Sequence, residues 1–314
     1  MTESQTQDTA TKYWCAPAKL NLFLHITGRI DQPPYDGYHA LQTYFQLIDY
    51  GDRLQFSRLD EARLEIIWQP GDEGIAQRPT KPEEDILHRA ATLLKTHPAA
   101  RNKAIPGIRI TLHKNAPVGG GLGGGSSAAA TTLWALNHYW ELNLDIETLM
   151  GIGLKLGADV PVFIGGHSAW AEGIGEQLTP WPSPAAGQWF VIVIPHATSW
   201  TQQLFAHPDL PRDTPRQPPD SLLPQWQTDG FNAFEQILLT SSPEIRASHE
   251  ALKREAGFAR VTGSGACLFA PVENQAEGLR IARKIQEKTS EIKRVIVAPA
   301  LDHSFTSPAG HKNI

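Results

Sequence analysis

A chain of 314 residues, 41% of them hydrophobic, is long enough for two domains or one large one. A net charge of −5 and a pI near 6.2, with no lysine or arginine run, argue against a nucleic-acid surface. The longest apolar stretches, such as 190–194, are strand-length and too short to cross a membrane, and the polar opening carries no apolar signal-peptide segment.

In chain order, residues 1–12 are expected to form a disordered extension. Residues 13–27 read as a strand broken at Pro17. Within it the two-residue period puts Lys19 and Asn21 on one face and Ala18, Leu20 and Leu22 on the other. An exposed face is the plain reading of such a lysine; a site is the other. Strand patterns recur at 43–48, 53–58 and 63–68, and 85–95 is helical, with Ile86, Leu87, Ala90, Leu93 and Leu94 on its apolar side. Strand 108–113 then leads into a glycine run. Helices follow at 126–140 and 145–156, and short strands at 162–164, 167–171 and 176–178. The prolines at 180, 182 and 184 mark a domain boundary.

Beyond that boundary come strand 189–194, a proline-rich excursion over 207–224, and helices near 231–240 and 243–255. Strands 259–262 and 267–272, helix 275–288 and strand 294–298 complete a ferredoxin-like split βαβ pattern. The division is therefore 13–180 and 181–300, with 301–314 a loose tail, and the fold class is α+β. The two cysteines, Cys15 and Cys267, fit a reducing cytoplasm, and no Cys/His spacing suggests zinc. Cys267 reads as a buried strand residue rather than a nucleophile.

The glycine run is Pro117, Val118, Gly119, Gly120, Gly121, Leu122, Gly123, Gly124, Gly125, Ser126 and Ser127, with three alanines after it. A glycine loop running into a helix offers free N–H groups and the positive end of the helix dipole, which makes an anion site. Ser126 is placed to cap that helix. The P-loop pattern fails, because Gly125 runs into Ser126 without a lysine. A dinucleotide loop fits Gly119, Gly121 and Gly124, but a helix rather than a strand follows the first helix. A flexible linker is disfavoured by the strand and helix on either side.

The pattern P-x-G-x-G-L-G-x-S-S resembles the phosphate loop of the GHMP kinases. Residues 16–22 (A-P-A-K-L-N-L) and 262–267 (T-G-S-G-A-C) are similar to that superfamily's N-terminal and C-terminal motifs, in the right order. Asp36-Gly37-Tyr38-His39 and 49–52 resemble one branch, the 4-diphosphocytidyl-2-C-methyl-D-erythritol kinases. The resemblance implies a two-domain GHMP kinase fold. Its N-terminal domain would be a mixed α/β nucleotide-binding domain and its C-terminal domain ferredoxin-like. The implied activity is ATP-dependent phosphorylation of the 2-hydroxyl of a substrate carrying a cytidine diphosphate, with Mg²⁺ accompanying the ATP. The implied protein is cytoplasmic and a monomer or weak homodimer, with no nucleic-acid or membrane partner. The alternatives are another GHMP kinase acting on a sugar or amino alcohol, and a silent nucleotide-binding paralogue.

Residue roles follow from the same resemblance. The loop 117–127 would hold the phosphates, with a hydroxyl of Ser126 or Ser127 for a phosphate or Mg²⁺. Asp159, in Gly157-Ala158-Asp159-Val160-Pro161, would be the general base, where the plain reading is a turn-capping aspartate. Lys19 would offset developing charge, with Asn21 a neighbouring polar contact to the substrate. Tyr38 would stack on the cytosine and His39 hydrogen-bond it, with Phe205 the second ring of the sandwich; the plain reading of Tyr38-His39 is a turn. Two features depart from the family. Residues 30–35 intervene before the D-G-Y-H segment, and Asp85 stands where many members carry asparagine, leaving it a weak nucleotide contact.

Overall fold

The computed structural model describes residues 13–71, 79–301 and 303; the expected extension 1–12 and the tail beyond 303 lie outside them. The chain opens with a long antiparallel hairpin, β1 (Trp14–Arg29) and β2 (His39–Leu59). β1 is not broken at Pro17. It passes through with a register shift between Pro17 and Ala18. β2 joins the two expected strands into one, because Gly51 lets the hairpin close. A Cβ there would lie 2.1 Å from the carbonyl oxygen of Ala16.

β3 (Leu64–Pro70), α1 (Ile86–Lys95) and β4 (Gly107–Lys114) form a parallel crossover unit. α2 (Gly124–Tyr139), α3 (Ile146–Leu154), α4 (Val160–Gly165), β5 (Ala169–Glu172) and β6 (Gln177–Pro180) complete the first half. The expected strand at 162–164 is the short helix α4 instead. Pro161 sits in its first turn, where the missing N–H costs nothing, and Gly166 closes it in a left-handed conformation. The sheet runs β3-β4-β2-β5-β6, with β1 on the other edge of β2.

α1 shows why these helices form where they do. Asp85 caps it by accepting from the N–H of Leu87 at 2.9 Å and also accepts from Trp68 Nε1 at 3.1 Å. Leu87, Ala90, Ala91 and Leu94 then bury one stripe. Asp85 is thus a buried helix cap, and its carboxylate is engaged within the fold.

The second half comprises β7 (Trp189–Pro195), α5 (Thr201–Ala206), α6 (Pro219–Leu222), α7 (Glu235–Ser241) and α8 (Pro243–Ala256). β8 (Arg260–Val261), β9 (Leu268–Val272), α9 (Gln275–Lys288) and β10 (Ile292–Pro299) follow. The strand order β10-β7-β9-β8, antiparallel throughout, is the ferredoxin-like order. The first sheet packs one face on α1–α4, and the second packs one face on α7–α9. Between the sheets Phe23, Tyr44 and Trp170 meet Phe190, Phe269 and Trp226.

The start of the expected loose tail is docked. Leu301 N–H donates to Leu47 O at 2.8 Å, its carbonyl accepts from Ser168 and Gln46, and His303 pairs with His167. No helix among the described residues is long and apolar enough to cross a membrane.

Candidate active site

Lys19 is 3% exposed on β1, and its ammonium has three partners. Nζ donates to Asn21 Oδ1 at 2.5 Å, lies 3.4 Å from Asp159 Oδ2, and sits 5.2 Å from the centroid of the Phe45 ring. A buried ammonium demands such company. Asn21 supplies part of it and is itself held on every side. Its Nδ2 donates to Thr43 Oγ1 at 2.8 Å, and its backbone N–H donates to Thr262 Oγ1 at 2.9 Å. Asn21 is buried with both ends of its amide engaged within the fold, one of them on Lys19.

Asp159 precedes α4 in the N-cap position, but its carboxylate makes no capping bond. The turn closes by backbone alone, from Val160 N–H to Gly157 O at 3.1 Å. The turn-cap reading therefore fails for this side chain. It is 36% exposed and turned toward Lys19.

The glycine loop is fastened to both halves by its backbone. Leu122 O accepts from Lys19 N–H at 3.0 Å, and Gly120 O accepts from Cys267 N–H at 3.1 Å. Gly121 has φ +77°, and a Cβ on it would stand 2.1 Å from Thr262 O. Gly123 has φ +71°, and a Cβ there would reach 3.2 Å from Lys19 Cε, so the loop's last turn abuts the Lys19–Asp159 pair. α2 begins at Gly124 with Gly123 as N-cap and no side-chain cap. The expected cap by Ser126 is not made, because the helix starts two residues earlier than its alanines suggest. The uncapped first turn leaves N–H groups at the positive end of α2. Gly125 is exposed there with open space where a Cβ would be, and Ser126 is half-buried. Ser127 differs. Its N–H bonds Gly123 O at 2.9 Å and its hydroxyl is fully buried.

The stem of the loop gives Asp52, at the end of the 49–52 segment, a partner that the sequence does not point to. Asp52 on β2 accepts from Lys114 Nζ at 2.7 Å, Asn115 N–H at 2.7 Å and Ala116 N–H at 2.8 Å. Both charges are buried.

The hairpin tip between β1 and β2 carries Tyr38 and His39. Gly37 N–H donates to Ile30 O, and Ile30 N–H to Tyr38 O, both at 2.8 Å. Tyr38 is 56% exposed, with Tyr35 edge-on at 5.9 Å. Phe205 on α5 stacks on the His39 ring at 5.0 Å and 26°, and meets Phe234 edge-on. The structure thus brings Phe205 of the second half onto the ring of His39 at the hairpin tip. Burial, then the charges of Arg212 and Arg29, hold the His39 pKa below its usual value. Among the described residues no group of three or more His, Cys, Asp or Glu could hold a metal ion.

Residues 85–167 match the N-terminal domain of the GHMP kinases, and residues 225–291 match their C-terminal domain. A 4-diphosphocytidyl-2-C-methyl-D-erythritol kinase of Marinobacter nauticus is 46% identical over 83% of this chain and 86% of that protein. The kinase of the same description from Halorhodospira halophila is 43% identical over 86% of this chain and 87% of its own length. A crystal structure of 4-(cytidine 5'-diphospho)-2C-methyl-D-erythritol kinase superposes with a TM-score of 0.73 at 27% identity, over 92% of this chain and 98% of that one. A homoserine kinase from Cytophaga hutchinsonii shares the fold alone, with a TM-score of 0.66 at 16% identity over 97% of this chain and 98% of its own. The chain belongs to the 4-diphosphocytidyl-2-C-methyl-D-erythritol kinase family of GHMP kinases.

Proposed function

We propose that this chain transfers the γ-phosphoryl group of ATP to the 2-hydroxyl of 4-diphosphocytidyl-2-C-methyl-D-erythritol. The products are the 2-phosphate and ADP, and the reaction is a step of the non-mevalonate route to isoprenoid precursors. The observation that carries the reading is the Lys19–Asp159 pair, 3.4 Å apart, against the N-terminus of α2. Asp159 accepts the proton of the attacking hydroxyl, and Lys19 offsets charge on the transferring group. The first turn of α2 and the loop before it hold the phosphates by backbone N–H groups.

Mg²⁺ fits this arrangement as a companion of the nucleotide. Its oxygen ligands would be phosphates, with the hydroxyl of Ser126 the candidate from the protein; when bound it neutralises phosphate charge. Tyr38 stacks on the cytosine, His39 hydrogen-bonds its edge, and Phe205 backs the histidine. The catalytic cleft lies between parts 13–180 and 181–300, and the protein acts in the cytoplasm as a monomer or weak homodimer without a nucleic-acid partner.

The test is ADP release with Mg-ATP and, in parallel, the cytidyl compound, galactose, homoserine and mevalonate. Turnover is expected with the cytidyl compound alone; turnover with another acceptor would keep the kinase and sink the cytidine pocket. Asp159→Asn is expected to bind both substrates and lose ~10²-fold or more in kcat. Near-normal turnover would remove Asp159 from the base role.

A further inference from the structure

Arg212 lies in the proline-rich stretch 207–224, for which the sequence suggests no role. Its guanidinium is fully committed. Nη2 donates to the carbonyls of Phe205 at 3.1 Å and His207 at 2.8 Å. Nη1 donates to Leu210 O at 3.0 Å and Pro208 O at 3.5 Å. The remaining donor, Nε–H, is directed at Nε2 of His39, 3.2 Å away.

A guanidinium offers five N–H donors, has no acceptor and keeps its proton. Nε2 of His39 must therefore present a lone pair, and the neutral ring carries its hydrogen on Nδ1. The charged groups that face this ring are Arg212 from its loop and Arg29 from β1, both of which disfavour an imidazolium. Phe205 stacks on the face of the same ring, so His39 is gripped on one edge and one face. Among the described residues nothing accepts a hydrogen bond from its Nδ1.

We infer that Arg212 is a positioning residue for base recognition: it fixes His39 as a neutral Nδ1–H donor for an acceptor on the pyrimidine edge, O2 or N3 of cytosine. The inference rests on the cytidyl substrate reading above. Without Arg212 the ring is free to place a lone pair where the base also presents one. The carbonyls of 205–210 then lose the group that gathers them, and the backing ring of Phe205 loosens with them.

The test is a tautomer measurement combined with kinetics on the full chain. In protein labelled with ¹⁵N-histidine, with His39 assigned through His39→Gln, long-range ¹H–¹⁵N spectra are expected to show the hydrogen on Nδ1. That form should persist as pH falls below the ordinary histidine pKa of about 6.5. Arg212→Met, which keeps the aliphatic stem, is expected to lose this fixed form and to titrate above the wild type, with burial and Arg29 still holding it below that ordinary value. At pH 8 its KM for the cytidyl compound should rise ~10-fold, with KM for ATP in place. Lowering the pH to 6 should recover part of the loss in the variant, because a protonated ring again carries Nδ1–H; the wild type should show no such recovery. A wild-type signal for Nε2–H overturns the inference without any variant. An Arg212→Met defect of equal size at both pH values overturns it too, and marks Arg212 as loop support only. An Nδ1–H ring in a chain that does not turn over the cytidyl compound would sink the substrate reading while leaving tautomer control by Arg212 standing.

Discussion

At the glycine loop, position is set by the main chain. Carbonyls of Gly120 and Leu122 take N–H groups from Cys267 and Lys19, and a side chain at Gly121 would collide with the backbone at Thr262. Around His39, by contrast, position is set by side chains: a phenyl ring on its face and a guanidinium on its edge. The difference follows from the chemistry each region would serve. Phosphate oxygens are satisfied by any well-placed N–H, so a bare backbone suffices and side chains are in the way. A base has a patterned edge and two flat faces, which only particular side chains can match. One consequence is energetic. Substitutions at the loop should damage fold and function together, whereas those at the hairpin tip should separate them.

The largest expected effect is at the stem of the loop. Asp52→Ala leaves the Lys114 ammonium buried without its carboxylate and frees the N–H groups of Asn115 and Ala116. Breaking a buried pair from one side costs roughly 3–5 kcal/mol. Urea unfolding is expected to show that loss, along with a higher KM for ATP. A stability loss under about 1 kcal/mol would mean that the stem is held by something else.

Within the loop, two glycines sharpen the contrast. Gly121→Ala meets both a left-handed φ and a backbone oxygen, and is expected to cost about 2–4 kcal/mol. Gly125→Ala meets open space in the first turn of α2, and is expected to leave stability equal or higher by up to about 1 kcal/mol. It should still raise KM for ATP, because the methyl group stands where phosphate would approach. An unchanged KM for ATP in a stable Gly125→Ala protein would break the phosphate-cradle reading directly.

These two regions also differ in how much of them the sequence discloses. The glycine run, Lys19 and Asp159 are short local patterns with a chemical reason, and they announce themselves. The ferredoxin-like half is legible as well, because its strands and helices keep clean periods; α9 spans 275–288 as its pattern predicts. What stays hidden depends on contacts between distant segments. Asp159 reads as lying before a strand because Val162, Phe163 and Ile164 are apolar, yet with Pro161 in the first turn they form one buried helical turn. Ser126 reads as a cap because the alanines after it look like the start of α2, while the helix begins with the glycines themselves. Arg212 gives no local signal at all, being 173 residues from the histidine it contacts. The Asp52–Lys114 pair spans 62 residues and looks like two isolated charges until β2 and β4 are laid side by side.

The smallest expected effect tests the other side of the comparison. More than half of the Tyr38 side chain is exposed, and it closes no core, so Tyr38→Ala should shift stability by no more than about 0.5 kcal/mol. Stacking a base on an aromatic ring is worth roughly 1–3 kcal/mol by alanine substitution, so KM for the cytidyl compound should rise about 5- to 150-fold. Tyr38→Phe keeps the ring and should stay within about 3-fold of wild type, since stacking makes no use of the hydroxyl. If the phenylalanine variant loses as much as the alanine one, the hydroxyl is the contact and the stacking reading falls. If alanine at 38 costs no affinity, base recognition does not reside at the hairpin tip. If it costs affinity and stability together, the tip is as tightly woven into the fold as the glycine loop. The contrast between a backbone-built phosphate side and a side-chain-built base side would then have no energetic content.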